Sequence, residues 1–300
     1  MSLEYPHLAA LVAVVREGSF EGAARVLHVT PSAISQRIKL LEDQIGAVTV
    51  QRGSCQPTPA GEALYRHGLQ VELLEKDLLR RMVPSQADVA AGGAPIGIAV
   101  NADSLATWLI PALRTFSEQT GLCVEIVVDD QDHTAAWLRS GRVLGAVTAD
   151  ARAVQGCRVE PLGAMRYRAT AAPAFTRRWF KKGFNIETVR HAPLLMFNRK
   201  DLLQERFIRS LLRERCAELP MHFVPSPNAF LEACLAGLGW GLNPELLVAP
   251  YLKHKRLVDV VPRAHLDIPL YWQQWALDSP TLHVLETALQ AQARLSLHLA

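Results

Sequence analysis

The sequence predicts an α/β protein with an all-α winged helix-turn-helix at its N-terminus and a linker helix between the two parts. Three observations lead to this fold. Residues 19–42 have the pattern of two short amphipathic helices with a tight turn between them. Residues 62–83 carry a longer apolar repeat, and β-rich runs alternate with helical segments from residue 96 onward. A length of 300 residues suits about two domains.

The N-terminal helix pair is defined by its apolar spacing and its capping residues. Apolar side chains repeat at helical spacing on the first helix (Ala23, Ala24 and Leu27) and on the second (Ile34, Ile38 and Leu41). His28 and Val29 fall in the connection. Thr30 can N-cap the second helix, and Pro31 suits its first position, where a missing N–H costs nothing. The small alanines allow the close crossing that a DNA-reading helix-turn-helix requires.

The outward face of the second helix carries hydroxyls, an amide and two cations, with no acid before Glu42. Its members are Thr30, Ser32, Ser35, Gln36, Arg37 and Lys39. Such groups can hydrogen-bond base edges and phosphates in a major groove. The alternative is an ordinary helical hairpin with a solvated polar face. Two neighbouring features favour DNA binding: a helix-like segment before the pair, and a β-prone piece at 48–50 that could form a wing with Arg52 on a phosphate.

Composition narrows the class of protein. The net charge is +3, and residues 1–60 hold five Lys/Arg against five Asp/Glu, so the DNA prediction depends on local placement. No run approaches the ~18 apolar residues of a membrane helix. Acids at Glu4 and Glu17 argue against a signal peptide, so we expect a cytoplasmic protein without a membrane partner. The five cysteines are scattered without a CxxC pair, which predicts reduced thiols and no metal site.

Catalytic motifs are missing from the sequence. It contains neither a GxSxG nor an HExxH pattern, and its ten histidines are dispersed. The segment GLGWGLNP (237–244) lacks the Lys-Ser/Thr pair of a phosphate loop. We therefore expect neither an enzyme nor a cofactor.

The apolar repeat of residues 62–83 predicts a single long helix. Its seam approximates a heptad at Leu64, Val71, Leu74, Leu78 and Met82. The helix could pack on its own domain, or it could be a dimerising linker, which a DNA reader needs to reach two half-sites about 34 Å apart. Residues 84–95 are small and rich in Gly and Pro, which predicts a domain boundary.

The remaining residues predict β-α-β alternation. Strands are expected at 96–100, 124–128, 145–148, 194–197 and 221–224, with helices beginning near Ser104 and spanning 202–215. This alternation favours parallel sheets with helices on both faces. About 200 residues of it suffice for two small lobes with a cleft between them.

The chain resembles the LysR-type transcriptional regulators along essentially its whole length. The N-terminal stretch GSFEGAARVLHVTPSAISQRIKLLEDQIG carries the resemblance most specifically. The segments AVNADSLATWLIPAL (99–113), VVDDQDH, LGAVTAD and PLYWQQWALDSP (269–280) resemble the ArgP/LysG branch. Thr49-Val50 and Pro57 depart from the Leu-Phe and Leu that are common in the wing of the wider family.

The resemblance implies an organisation and a set of partners. The domains would be a winged helix-turn-helix (1–61), a linker helix (62–84), a hinge (85–94) and an effector domain (95–300) of two Rossmann-like lobes, similar to a type-2 periplasmic binding protein. Lobe I would comprise 95–165 and 268–300, and lobe II 166–267. The chain would bind promoter DNA and lysine or arginine, form a homodimer or a dimer of dimers, contact RNA polymerase, and control genes of lysine/arginine export or metabolism.

A basic amino acid would need donors for its carboxylate and acids for its cations. The residues expected to bind it follow strands or lie near them: Asn101, Asp103, Ser104, Asp130, Thr148, Asn198, Ser226 and Trp240.

Several of these residues also fit ordinary structural roles. Asp103 could be an N-cap and Asp130 part of a solvated acidic turn, while Asn198 and Ser226 suit plain turns. Trp240 could wall the cleft or lie in the core. The competing function is a solute-binding protein whose N-terminal helices merely pack on it.

Overall fold

The computed structural model describes residues 3–51, 53–82, 95–129, 134–213 and 219–299. Arg52, Asp130 and the predicted hinge at 85–94 lie outside the described residues.

The N-terminal head contains the predicted helices. They are α1 Tyr5–Glu17, α2 Phe20–Val26 and α3 Pro31–Ile45. Ser19 caps α2, since its side chain accepts a hydrogen bond from Gly22 N, and Thr30 caps α3 by accepting one from Ala33 N at 3.2 Å. Pro31 occupies the first turn of α3, as the sequence predicted. The three helices enclose a small apolar core that includes Leu11, Ala23, Ile34, Ile38 and Leu41.

A short wing follows α3. Val50 and Pro57 form an antiparallel bridge, and Thr58 N donates to Thr49 O at 3.0 Å. Thr49 is fully buried, and its N–H and hydroxyl both donate to Glu42 Oε1, at 2.7 and 3.1 Å. Thr49 therefore fixes the wing to α3 through a carboxylate.

The linker helix α4 spans Pro59–Met82 and packs on both parts of the molecule. Near its N-terminus it crosses α1 so closely that a Cβ on Gly68 would lie 2.4 Å from Val12 Cγ2. Further on, Leu73 is buried in the core of the C-terminal domain. Its other face is open: Leu74, Leu78, Leu79 and Met82 are exposed. One face of α4 thus packs within the chain, as the first alternative predicted. Its other face is exposed and could contact a second protomer, as the second alternative requires.

The C-terminal domain is built on one curled sheet and one small sheet. The strands are β1 Ile96–Val100, β2 Val124–Val128, β3 Gly145–Thr148, β4 Cys157–Ala171, β5 Leu194–Met196, β6 Met221–Phe223, β7 Gly241–Pro244, β8 Val258–Asp259 and β9 His265–Trp275. The order in the large sheet is β2-β1-β3-β9-β4-β7, with β8 on β4, and β5 pairs with β6. The pairs β1–β2, β1–β3 and β5–β6 are parallel, while β9 and β4 run antiparallel to their neighbours.

Nine further helices cover these sheets in the part of the chain that the structure describes. They are α5 Ala102–Thr107, α6 Leu109–Thr120, α7 Thr134–Arg139, α8 Pro173–Trp179, α9 Ile186–His191, α10 Leu203–Leu212, α11 Pro227–Leu235, α12 Glu245–Lys253 and α13 Pro280–Ser296. We call the part around β1–β3, α5–α7 and α13 lobe I, and the part around β5–β8 and α8–α12 lobe II. The long strands β4 and β9 connect the two lobes. The prediction of parallel sheets was wrong for these two strands, which run antiparallel to their neighbours and were not predicted from the sequence.

Among the described residues, no helix combines the length and apolar character needed to cross a lipid bilayer.

Candidate functional site

The first candidate site is the outward face of α3. Ser32, Ser35, Gln36 and Lys39 are exposed on it, and Arg37 lies at its flank, partly buried. The hydroxyls of Thr30 and Ser32 lie 2.9 Å apart at the start of the helix, and Ser35 Oγ donates to Pro31 O at 3.1 Å. Ile34, Ile38 and Leu41 are buried on the opposite face. The polar side chains thus project from a rigid, capped helix whose other side is anchored in the core of the head.

The second candidate site is the cleft between the two lobes. It is a cavity of about 750 Å³. Lobe I contributes Asn101, Asp103, Asp129 and Asp150, and lobe II contributes Asn198, Asp201 and Gln204, among others. A cleft of this volume at the carboxyl ends of strands is where open α/β folds bind small molecules.

Asp103 is an ionisable group of this cleft whose pKa is clearly shifted by its surroundings. It lies in the first turn of α5, and its Oδ2 accepts a hydrogen bond from Tyr167 Oη at 2.6 Å. Burial raises the pKa of the Asp103 carboxyl to about 6; the Tyr167 bond opposes this shift, and the charge of Asp201 adds to it. Asn101, not Asp103, is the N-cap residue of α5, so the capping alternative for Asp103 was wrong. Two carboxylates from opposite lobes therefore influence each other across the cleft.

Two buried amide side chains that line the same cavity carry atoms without a hydrogen-bond partner among the described residues. Asn101 is 4% exposed, and neither its Oδ1 nor its Nδ2 is paired. Gln204, at the start of α10, is 1% exposed, and its Oε1 is unpaired. Buried polar groups are normally hydrogen-bonded, so unpaired ones beside a cavity are available to a polar ligand. These amides can supply a donor and acceptors to a polar small molecule.

Lobe II brings its acid to the cleft through a tight loop after β5. Asp201 Oδ1 accepts from Leu203 N at 2.9 Å and its Oδ2 accepts from Phe197 N at 3.2 Å. Asn198 Oδ1 accepts from Asp201 N at 3.0 Å, so Asn198 supports the loop that carries Asp201. Asn198 was predicted to bind the ligand, as part of the segment 198–201 that follows a strand; Asp201 at the end of that segment was not singled out, and Gln204 was not predicted. A strand followed by Asn-Arg-Lys-Asp was a usable signal for Asp201, whereas Gln204 sits inside a helix and has no local signature.

Four of the predicted effector residues do not line the cleft. Ser104 and Thr148 are buried, and Thr148 Oγ1 accepts from Asp150 N at 3.1 Å. Ser226 caps α11 by accepting from Ala229 N.

Trp240 is the fourth predicted residue that does not line the cleft. It is fully buried in the core, edge-on to Phe180 and Phe184 at centroid distances of 5.9 and 5.4 Å. Of the two positions that the sequence left open for Trp240, the structure shows the core and not the wall of the cleft.

Comparison with known proteins identifies the family. The model of bacterial regulatory helix-turn-helix proteins of the LysR family matches residues 6–62, and the LysR substrate binding domain matches residues 91–294. The chain belongs to the LysR family of transcriptional regulators. It is therefore a DNA-binding regulator and not an enzyme, and the predicted winged helix-turn-helix with a two-lobed α/β domain is confirmed.

Two relatives match this chain over nearly its full length. The transcriptional regulator LysG of Mycobacterium bovis is 45% identical over 292 residues, which are 97% of this chain and 94% of LysG. ArgP of Pseudomonas aeruginosa is 42% identical over 301 residues, with 98% of each chain covered.

Two solved structures extend the comparison to the fold. The crystal structure of ArgP from Mycobacterium tuberculosis matches with a TM-score of 0.87 and 43% identity over 100% of both chains. Full-length LysG from Corynebacterium glutamicum with bound effector Arg matches with a TM-score of 0.79 and 35% identity, covering 99% of this chain and 100% of LysG.

Proposed function

We propose that this LysR-type regulator senses a basic amino acid, arginine or lysine, in the cleft between its lobes and controls genes of lysine/arginine export or metabolism. The observation that carries the proposal is a cleft lined by a carboxylate from each lobe, Asp103 and Asp201, and by buried amide atoms without partners. The bound arginine in the structure of the C. glutamicum relative supports this ligand class.

Each part of the ligand has a proposed counterpart. One cationic group binds between Asp103 and Asp201, because an ammonium or guanidinium relieves the repulsion between two carboxylates. The amide of Asn101 donates to the ligand carboxylate, and Gln204 Oε1 accepts from a ligand N–H. Asp130, one of the residues that the sequence predicted to bind the ligand, lies outside the described residues. Asp129, its neighbour, accepts from Trp137 Nε1 at 2.7 Å and also lines the cleft.

DNA is proposed to bind through the polar face of α3. Ser32, Ser35, Gln36 and Lys39 face the major groove, with Arg37 at the flank and Thr30 at the start of the helix. Arg52 remains the proposed wing contact. The exposed apolar face of α4 supports a homodimer, or a dimer of dimers, that spaces two heads along promoter DNA. Such a regulator would act in the cytoplasm and could contact RNA polymerase.

Ligand binding in the cleft and DNA binding by the head are thermodynamically linked. If the ligand prefers one arrangement of the lobes, it stabilises that arrangement and changes the spacing of the heads. A coupling of ~1–3 kcal/mol is typical of such systems.

Calorimetric titration of the full-length protein tests the ligand class. Arginine or lysine should bind, whereas citrulline and norleucine, which keep the amino-acid part but lose the cationic tail, should bind at least about tenfold more weakly. Equal affinity for arginine and citrulline, or no heat with either basic amino acid, would refute the proposal.

A further inference from the structure

A second cavity lies between the linker helix and lobe I, away from the cleft. We call it the linker cavity; its volume is about 250 Å³. One face of α4 supplies Arg66, His67 and Gln70, and the lobe I ends of β4 and β9 supply Cys157 and Trp275, with Gln155 just before β4. A water molecule occupies about 30 Å³ in the liquid, so the space exceeds what one or two waters need.

The linker cavity has positive charge and no compensating acid. None of the residues lining it is Asp or Glu, and the guanidinium of half-buried Arg66 makes no ion pair or hydrogen bond within the described part of the chain. Burial raises the pKa of the Cys157 thiol to about 11, so this side chain is a neutral thiol and does not balance Arg66. A partly buried cation without a partner favours an anion beside it.

An unpaired buried donor lies on the lobe I wall. Trp275 is 1% exposed, and its Nε1 has no hydrogen-bond partner in the described residues. Trp108 and Trp240 also carry unpaired Nε1 groups, but neither lines a described cavity. Indole N–H is a donor only, so it suits an oxygen acceptor.

The walls of the linker cavity are held in place from both ends. Gly68 of α4 sits against Val12 of α1, as described above. Two turns beyond the cavity, Asp77 is 5% exposed and accepts from Ser279 Oγ and Thr281 Oγ1, both at 2.5 Å. Arg80 also donates to Thr281 Oγ1 at 3.0 Å. The arrangement of donors is thus preformed, which lowers the entropic cost of binding.

We propose that the linker cavity is a second ligand site, for a small oxyanion with a carboxylate or phosphate group, held by Arg66, His67 and Trp275. A bound anion bridges the linker helix and lobe I, and so stabilises the docking of α4 on the effector domain independently of the cleft. Carboxylate and phosphate share the same chemistry at this site, namely oxygen acceptors with negative charge.

Titration of the full-length protein with sodium phosphate and, separately, sodium succinate tests the proposal. Ionic strength is held constant with sodium chloride, and binding is followed by calorimetry and by tryptophan fluorescence. At least one anion should give saturable binding beyond the chloride blank, and the stronger of the two identifies the source. Arg66→Gln should weaken it about tenfold or more, and Arg66→Lys should restore part of it.

Three controls separate this site from general charge effects and from the cleft. Arg81→Gln removes the same charge from an exposed part of the same helix and should bind the anion like the wild type. Asp103→Asn alters the cleft and should also leave anion binding unchanged. Circular dichroism checks that each variant is folded. Absence of saturable binding in the wild type, or wild-type affinity in a folded Arg66→Gln variant, would overturn the proposal.

Discussion

The head and the cleft differ in how their functional groups are assembled. The polar face of α3 comes from one continuous stretch that a single helix orders, with its cap at Thr30 and its buried side at Ile34 and Ile38. The cleft draws Asp103 from the first turn of α5, directly after β1, and Asp201 from the loop after β5, on separate lobes. A site built from one helix depends on that helix alone, whereas a site built across two lobes depends on their relative position.

Replacing Asp103 should have the largest effect, and it should be confined to the cleft. Asp103→Asn keeps the shape and the Tyr167 hydrogen bond but removes the charge, so binding of arginine or lysine should weaken by ~2–5 kcal/mol. Calorimetry measures this loss. Leu246→Ala, at an exposed residue of α12, serves as a control that should bind normally. Wild-type affinity in Asp103→Asn would remove this residue from the site.

Gly61→Ala should damage the head while sparing the effector domain. A Cβ at Gly61 would lie 1.9 Å from Thr49 O, so α4 and the wing must separate. The expected destabilisation of the head is ~1–3 kcal/mol or more. DNA binding should fall in a gel-shift assay, and calorimetry should report unchanged arginine affinity. Loss of both activities together would mean that the two parts are less independent than proposed.

Truncating the recognition face should weaken specific DNA binding and nothing else. Gln36→Ala or Arg37→Ala is expected to cost ~1–3 kcal/mol of operator affinity. Gln36 is exposed and Arg37 partly buried, so the comparison of the two variants tells whether the flank takes part. Anisotropy with promoter DNA measures the change. Unchanged operator affinity in both would contradict the assigned face.

The titration of Asp103 predicts a pH dependence restricted to the cleft. The pKa of Asp103 is about 6 in the folded protein, against an ordinary value of 3.8, so burial makes this carboxyl harder to ionise in the ligand-free cleft, although it is ionised at neutral pH. Its contribution to stability is full below pH ~4 and is lost as pH rises through about 6, so ligand-free Asp103→Asn should melt higher than the wild type at pH 8. The affinity for a cationic ligand should fall as the pH drops below 6, by up to about tenfold per pH unit, because protonated Asp103 carries no charge. The range from pH 5 to pH 8 extends from about one unit below to about two units above this pKa. An affinity that stays constant over this range would exclude Asp103 as a partner of the cation.

Trp240→Phe is expected to have the smallest functional effect. Trp240 packs against Phe180 and Phe184 in the core, so the variant should lose ~1–2 kcal/mol of stability through the cavity it leaves. Arginine affinity should stay within about twofold, since the residue does not line the cleft. A large loss of affinity without loss of stability would restore its predicted role as a cleft wall.

The head was largely predictable from the sequence, whereas the cleft was predictable only in part. The helices of the head, the cap at Thr30 and the strands β1, β2 and β3 were predicted because local periodicity and capping determine them. The long strands β4 and β9 were missed: they pair with each other over most of their length, and this long-range pairing leaves a weak local pattern. Asp103 could be chosen from its place after a strand, but Gln204 became visible only through its burial beside the cleft.

The central claim is that a cation in the acidic cleft controls DNA binding by the head. Anisotropy of a labelled fragment from the chain's own promoter region, titrated with wild-type protein and with Asp103→Asn, with and without arginine, tests it directly. Arginine should change the affinity of the wild type for DNA by a coupling of ~1–3 kcal/mol and leave Asp103→Asn unaffected. An equal arginine response in both proteins, or no specific binding of any promoter fragment by the wild type, would contradict it.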